Sequence, residues 1–147
     1  MSTFIKNVEL GAGGTKICLP IIAKTKEEIL KEGEELKNSV ADIKEWRADF
    51  YEDVMNNEKV LDVLDKLTDV LQDKPVLFTF RTKNEGGEKA IDTLYYKILI
   101  GSVIKQQKVG AVDVELFMDP AKNWLEMELI RTSLEAGIDI EKYICYH

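Results

Sequence analysis

Residues 42–49, DIKEWRAD, have the pattern of a short β-strand that carries charged side chains in its middle. Successive side chains of a strand point to opposite faces, so Ile43, Glu45, Arg47 and Asp49 are expected on one face. Burying carboxylate and guanidinium groups there costs solvation free energy that only pairing or a charged ligand offsets. We therefore predict that this face belongs to a binding site, although an exposed edge strand with Glu45 and Arg47 in water has the same alternation.

The composition and charge of the chain limit its class. Its 147 residues, 45% of them hydrophobic, suffice for one sizeable core, so a single domain over 1–147 is predicted. A net charge of -7 without a Lys/Arg-rich block argues against a nucleic-acid partner. No stretch has the pattern of a membrane span or a secretory signal, so no membrane partner is expected and the cytoplasm is the predicted compartment. Cys18 and Cys145 lack metal-ligand spacing and are expected to be buried free thiols.

Strand and helix patterns alternate along the rest of the chain. Further apolar strand patterns occur at 16–22, 76–81, 111–117 and 142–147. Helical patterns occur at 25–38, 57–71, 92–107 and 121–135, and the first opens with the capping-box sequence TKEE. Residues 4–10 alternate loosely before a glycine-rich turn, so 1–14 is interpreted as an N-terminal strand and turn that caps the domain. About five strands joined by four helices predict right-handed βαβ units and a parallel sheet.

The position of the charged residues favours a barrel over an open, doubly wound sheet. Charge lies within the second, third and fourth strands toward their carboxyl ends, which is where the inside of a (β/α)₈ barrel opens into its active site. A whole barrel has typically ~250 residues, so the predicted fold is α/β of the parallel (β/α)₈ TIM-barrel type, but incomplete. The chain is therefore interpreted as an N-terminal fragment or a truncated paralogue. Its first and fifth strands would be open edges, which predicts a homo-oligomer or a partner that covers them.

Arg47 and Arg81 are the strongest candidates for ligand binding. A guanidinium presents a planar fork of donors to a carboxylate, so a small organic acid is the predicted type of ligand. Their alternative role is internal pairing with carboxylates nearby, namely Glu45, Asp49 and Glu115. Asp113 and Glu115 share a strand face and have the oxygen ligands that magnesium prefers, but pairing with Arg47 or Arg81 is favoured over a metal site. The polar segment 82–89 contains two glycines and is expected to form a loop able to move.

Several motifs together resemble type I 3-dehydroquinate dehydratase, a (β/α)₈ lyase of the shikimate pathway. The most specific are EWRADF at 45–50 and FTFRT at 78–82, which is followed by EGGE at 85–88. Weaker similarity lies in NVE at 7–9, KIC at 16–18, VELF at 114–117 and YH at 146–147. These segments run through the whole chain in the order of the family.

The resemblance implies a cofactor-independent dehydration of 3-dehydroquinate to 3-dehydroshikimate. In that family a lysine forms an imine with the substrate ketone and a histidine acts as general acid and base. Carried over by position, Glu45, Arg47 and Arg81 bind substrate, His147 is the acid/base, and Glu85 orients it. The imine lysine of the family lies on a sixth strand that this sequence lacks. The alternative interpretation is a catalytically inactive half-barrel that serves as a binding or assembly module.

Overall fold

A computed structural model of the protein describes residues 3–115 and 144–146. The first of these residues form an antiparallel hairpin of β1 (Thr3–Ile5) and β2 (Val8–Leu10). Five parallel strands then form one sheet whose spatial order equals the chain order: β3 (Cys18–Ile21), β4 (Ile43–Arg47), β5 (Val76–Thr79), β6 (Ala111–Val114) and β7 (Ile144–Tyr146). The predicted parallel α/β sheet is confirmed.

Three helices connect the first four strands of the sheet. They are α1 (Lys26–Leu36), α2 (Asn57–Leu71) and α3 (Thr93–Gln106). Each begins after a residue whose side chain accepts a hydrogen bond from the first helical turn, namely Thr25, Asn56 and Asp92. Thr25 and Glu28 form the predicted capping box. The predicted helix 121–135 lies outside the described residues, and no helix within the described ranges is long and apolar enough to cross a bilayer.

The two faces of the sheet have different roles. One face, which we call the helical face, packs on α1, α2 and α3 and contributes Ile21, Trp46, Phe78, Val112 and Val114 to the main core. Trp46 is fully buried there, edge-on to Phe78 at 5.5 Å between ring centroids. The opposite face, here the inner face, contains Ile43, Glu45 and Arg47 of β4. Because strand side chains alternate, Ile43, Glu45 and Arg47 share the inner face, which is apolar at its start and ionic at its end as predicted.

The hairpin covers the amino-terminal end of the inner face. Ile5 and Val8 pack against Ile43 of β4 and Ala111 of β6 in a second, smaller core. The sequence suggested one loosely alternating strand at 4–10, whereas the chain turns at Lys6, whose φ is 51°. The inner face is therefore apolar and covered at its amino-terminal end, which leaves its polar groups at the carboxyl end.

The strand β3 differs from its predicted environment. Its apolar sequence suggested burial on both faces, but of its four residues only Ile21 is buried. Cys18 is exposed, so the expectation of a buried thiol is wrong for this cysteine, and Cys145 lies where side chains are not described. Pro20 is also exposed and pairs in register with Glu45. The physical reason is the position of β3, which has one neighbouring strand in the described sheet.

Candidate active site

Charged and polar side chains of three neighbouring strands meet at the carboxyl end of the inner face. Arg47 ends β4 and pairs in register with Thr79, which ends β5. Phe78 pairs with Val112, so Thr79 lies beside Asp113 of β6. Arg81 follows two residues after Thr79, on the same side of the chain. The sheet thus brings both predicted guanidinium groups to one end of one face.

Arg47 is held by a carboxylate immediately after its own strand. Its Nε and Nη2 donate to Oδ1 and Oδ2 of Asp49, each at 2.8 Å, in a bidentate pair. The strand ends at Arg47, and a 3-10 turn over Ala48–Phe50 places Asp49 beside the guanidinium. The Phe50 ring adds a cation-π contact at 5.0 Å. Internal pairing, the alternative considered from the sequence, is therefore confirmed for Arg47 and Asp49.

Asp49 also holds the segment after β5. It is fully buried and accepts hydrogen bonds from the backbone N–H groups of Arg81, at 3.3 Å, and Glu88, at 3.1 Å. Burial alone would raise the pKa of Asp49, but the hydrogen bonds from Arg47 and from these two N–H groups outweigh it. The pKa of Asp49 therefore lies below its ordinary value, and the group stays ionised.

Arg81 is paired more loosely than Arg47. Its Nη2 lies 3.3 Å from Oδ2 of Asp113 and its Nε lies 3.9 Å from Oε1 of Glu115. The first distance is at the long end of the hydrogen-bond range and the second is beyond it. The predicted pairing of Asp113 and Glu115 with an arginine is confirmed for Arg81. The Arg81 side chain is 30% exposed, so its guanidinium is accessible to a further hydrogen-bond partner.

Glu115 fixes the start of the segment 82–89. Its carboxylate accepts from the Thr82 backbone N–H and from the Thr82 hydroxyl, both at 2.8 Å. The Glu115 N–H donates in turn to the hydroxyl of Tyr96, whose pKa is raised by burial. A Cβ on Gly87 would lie 1.9 Å from the Arg81 carbonyl oxygen, so only glycine fits there. The sequence suggested a loop able to move, and the structure ties this segment to two buried carboxylates, Asp49 and Glu115.

The other predicted site residues are Glu45, Glu85 and His147. Glu45 lies half-buried on the inner face two residues before Arg47. The hydrogen bond to Asp49 is the main cause of the raised pKa of the Arg47 guanidinium, and the negative charge of Glu45 adds to it. Glu85 lies in the short 3-10 helix Lys83–Glu85 and is exposed beside the same end of the sheet. His147 lies outside the described residues. The structure therefore brings Glu45, Arg47 and Arg81 together on one face.

Comparison with known proteins identifies the family. Residues 17–136 match the model of the type I 3-dehydroquinase family, and this range includes both arginines and both anchoring carboxylates. The chain belongs to the type I 3-dehydroquinase family. The resemblance noted in the sequence is thereby confirmed.

Relatives in this dehydroquinase family are longer than the chain. The 3-dehydroquinate dehydratase of Clostridium botulinum is 52% identical over 114 residues, which are 78% of this chain and 45% of the relative. A crystal structure of the type I enzyme of Clostridium difficile with covalent modified comenic acid matches 99% of this chain with 55% of its own, at a TM-score of 0.88 and 38% identity. The enzyme of Enterococcus faecalis matches 96% of this chain at a TM-score of 0.83.

These comparisons settle the architecture. The chain spans about half the length of the curated relatives and of the solved type I dehydroquinases that it matches. Its five described parallel strands superpose on part of their barrel. The predicted incomplete fold of the (β/α)₈ TIM-barrel type is confirmed.

Sequence reasoning did not find several groups that build this dehydroquinase site. Thr82 and Tyr96 were not singled out, and Asp49 was considered only as a member of the charged face of β4 and as a possible partner of the arginines. The signal for Asp49 was its spacing, because a carboxylate two residues after an arginine at a strand end can fold back onto it. Lys44, on the helical face, is fully buried and donates to the Ser39 hydroxyl at 2.9 Å.

Proposed function

We propose that the chain is the amino-terminal part of a type I 3-dehydroquinate dehydratase, a lyase that removes water from 3-dehydroquinate to give 3-dehydroshikimate in the shikimate pathway. The observation that carries the proposal is the pair of guanidinium groups, Arg47 and Arg81, at one end of the inner face of a type I dehydroquinase fold. A polyhydroxylated organic acid offers the carboxylate and hydroxyl oxygens that such donors bind.

The two arginines have different tasks in this proposal. Arg81 is the group that engages the ligand directly, since its contacts to Asp113 and Glu115 are long and an incoming oxygen can replace them. Arg47 keeps Nε and Nη2 on Asp49 and offers its remaining N–H groups from a fixed position. Glu45, two residues before Arg47, accepts a hydrogen bond from a ligand hydroxyl. The site thus has one rigid donor and one adaptable donor.

The chemical step is assigned to His147 and Glu85. β7 ends at Tyr146, which pairs in register with Val114, and His147 is the next residue in the sequence. A neutral imidazole has a pKa suited to removing a proton and returning it to the leaving hydroxyl. Glu85 orients that imidazole. By resemblance to the family, an imine-forming lysine on a sixth strand completes the site and requires no bound cofactor.

Calorimetry of the full 147-residue chain with 3-dehydroquinate tests the binding part of this proposal. Arg81→Ala should weaken binding about tenfold or more, because a charge-assisted hydrogen bond contributes roughly 1.5–3 kcal/mol. Lys31→Ala is the matched control, since it removes one positive charge from the exposed face of α1. Equal affinity of the Arg81→Ala variant and the wild-type chain would remove Arg81 from the site.

Borohydride reduction in the presence of 3-dehydroquinate tests the chemistry. Intact mass would show a covalent adduct if a lysine of this chain forms the imine. Binding and turnover without an adduct would contradict the imine mechanism. Binding without turnover or an adduct would show that no lysine of this chain forms the imine, and would favour, for the chain on its own, the second candidate function, a catalytically inactive half-barrel that acts as a binding or assembly module.

The edges of the sheet favour that second candidate and a homo-oligomer, such as a homodimer, as its form. Within the described sheet β3 and β7 each have one neighbour, and Ile17 and Ile22 on either side of β3 are exposed. A second copy of the chain can cover such edges by packing on these exposed apolar side chains. Light scattering that shows a monomer at high concentration would contradict self-association. The exposed free thiol of Cys18 supports a reducing compartment such as the cytoplasm.

A further inference from the structure

Thr79 carries a buried hydroxyl without a hydrogen-bond partner. The residue has no solvent exposure, and its Oγ1 contacts no donor or acceptor at hydrogen-bond distance within the described part of the chain. Other buried threonine hydroxyls of the same range are satisfied. Thr82 donates to Glu115, and Thr68 on α2 donates to the Leu64 carbonyl oxygen at 2.8 Å. Thr79 is therefore distinct among these threonines. Three other buried side-chain atoms of the described residues also have no partner, but they lie on the helical face or on the helices, namely Trp46 Nε1, Asn57 Oδ1 and Gln106 Oε1.

An orphaned hydroxyl is unfavourable in a folded protein. Burying a hydroxyl without a partner costs free energy, whereas an apolar side chain of the same shape, such as valine, carries no such cost. Buried polar groups are satisfied in the great majority of cases, so an exception calls for a specific explanation such as a ligand. Valine would also suit the strand β5, where β-branched residues are favoured. The presence of a hydroxyl at position 79, where valine would fit, therefore requires an explanation.

The surroundings of Thr79 point to a ligand. It lies on the inner face, level with Arg47 in the strand register and beside Asp113, and Arg81 follows it on the same side of the chain. Leu77, two residues before Thr79 on this face, packs against the apolar core under the hairpin. Thr79 is thus at the boundary between the apolar floor and the ionic end of the site.

Access to the hydroxyl depends on the side chains beside it. Arg47 is fixed to Asp49 at 2.8 Å, but Arg81 has contacts of 3.3 Å and 3.9 Å and keeps 30% of its side-chain exposure. A ligand that draws the Arg81 guanidinium toward its own carboxylate would bring its other oxygens next to the floor of the site. Among the described residues of this face, the Thr79 hydroxyl is a buried polar group that has no partner.

We propose that Thr79 is a ligand-binding and specificity-determining residue, whose hydroxyl hydrogen-bonds an oxygen of the bound hydroxylated acid at the floor of the inner face. This inference rests on the proposed function, and adds to it a group that recognises a ligand hydroxyl rather than the carboxylate. A hydroxyl can both donate and accept, so it selects a ligand hydroxyl in either orientation. An acid without that hydroxyl would leave Thr79 unsatisfied and bind less well.

A pair of identical substitutions separates binding from stability. Thr79→Val removes the orphaned hydroxyl, and Thr68→Val removes a hydroxyl that has its hydrogen bond, far from the inner face on α2. Thr79→Val should bind 3-dehydroquinate about tenfold more weakly by calorimetry and should unfold at the same urea concentration as the wild-type chain, or higher. Thr68→Val should bind 3-dehydroquinate like the wild-type chain. Its loss of stability in urea shows how much the removal of one formed hydrogen bond costs.

The outcomes distinguish this inference from the proposed function. If the wild-type chain binds, Arg81→Ala weakens binding and Thr79→Val does not, the inference about Thr79 is overturned and the proposed function stands. If Thr79→Val is destabilised as much as Thr68→Val, Thr79 has a structural partner and the inference is again overturned. If the wild-type chain does not bind 3-dehydroquinate, both are overturned. Weaker binding by Thr79→Val with unchanged stability supports the inference.

Discussion

Replacing Asp49 with alanine should destabilise the fold more than any change to a surface carboxylate. The substitution removes a fully buried acceptor that holds Arg47 through two hydrogen bonds of 2.8 Å. It also leaves the backbone N–H groups of Arg81 and Glu88 without their acceptor. The end of β4 and the segment 82–89 lose their common anchor, so the effect reaches both arginines of the candidate site.

The size of the loss follows from these contacts. Removing one partner of a buried ion pair typically costs about 3–5 kcal/mol. The Arg47 side chain retains 23% exposure, so water can solvate part of the guanidinium and the lower end of that range applies. The two N–H groups that lose their acceptor are partly buried, so each adds a part of the roughly 1–3 kcal/mol that a fully buried donor without an acceptor costs. We expect a loss of about 3 kcal/mol from the free energy of unfolding, a large share of the 5–15 kcal/mol typical of ~100-residue domains.

Urea unfolding followed by circular dichroism would measure this loss. Asp62→Ala is the matched control, because Asp62 pairs with Lys26 and Lys66 on the surface and such pairs contribute at most about 1 kcal/mol. Asp49→Asn keeps one acceptor oxygen and should fall between the two. If Asp49→Ala lowers the free energy of unfolding no more than Asp62→Ala does, the anchoring role assigned to Asp49 is wrong.

Three further outcomes follow from the structure. Gly87→Ala should lower both stability and ligand affinity, because its Cβ would lie 1.9 Å from the Arg81 carbonyl oxygen, and calorimetry should show no change for Gly14→Ala, which has open space. Since the folded-state pKa of Asp49 is depressed, its stabilisation is complete above its unfolded pKa of about 3.9 and is lost as the pH falls through the lower folded value. Acid titration should therefore show a shallower loss for Asp49→Asn than for the wild-type chain over that window, and equal slopes would contradict it. Thr25→Ala should lower the free energy of unfolding by ~1 kcal/mol through loss of a helix cap, and an unchanged urea midpoint would refute that.

Local patterns in the sequence were sufficient where the interactions are local. The capping box joins Thr25 to a residue three positions later, so its sequence signature predicts the start of α1 correctly. The alternation within β4 likewise places Trp46 on the helical face and Arg47 on the inner face, because the side-chain period of a strand is fixed by its backbone.

Contacts between distant parts of the chain were not predictable in this way. Asp49 accepts from N–H groups 32 and 39 residues later, and Glu115 accepts from Thr82, 33 residues earlier. No local pattern specifies such pairs, because they depend on how parallel strands are aligned in the sheet. Lys44 is a different case, because its buried ammonium group donates to the Ala41 carbonyl oxygen, 2.7 Å away and only three residues earlier in the chain.

The exposed proline of β3 affects how the protein behaves at high concentration. The Ile17 carbonyl oxygen accepts from the Ile43 N–H, and alternate residues of a strand direct their polar groups to opposite sides, so residue 20 faces away from β4. Pro20 has no N–H to offer an incoming strand. A strand from another molecule would find a gap in the ladder at this point, which makes ordered stacking of chains into fibrils less favourable. Pro20 thus makes aggregation through the edge of β3 less favourable and helps to keep the protein in solution.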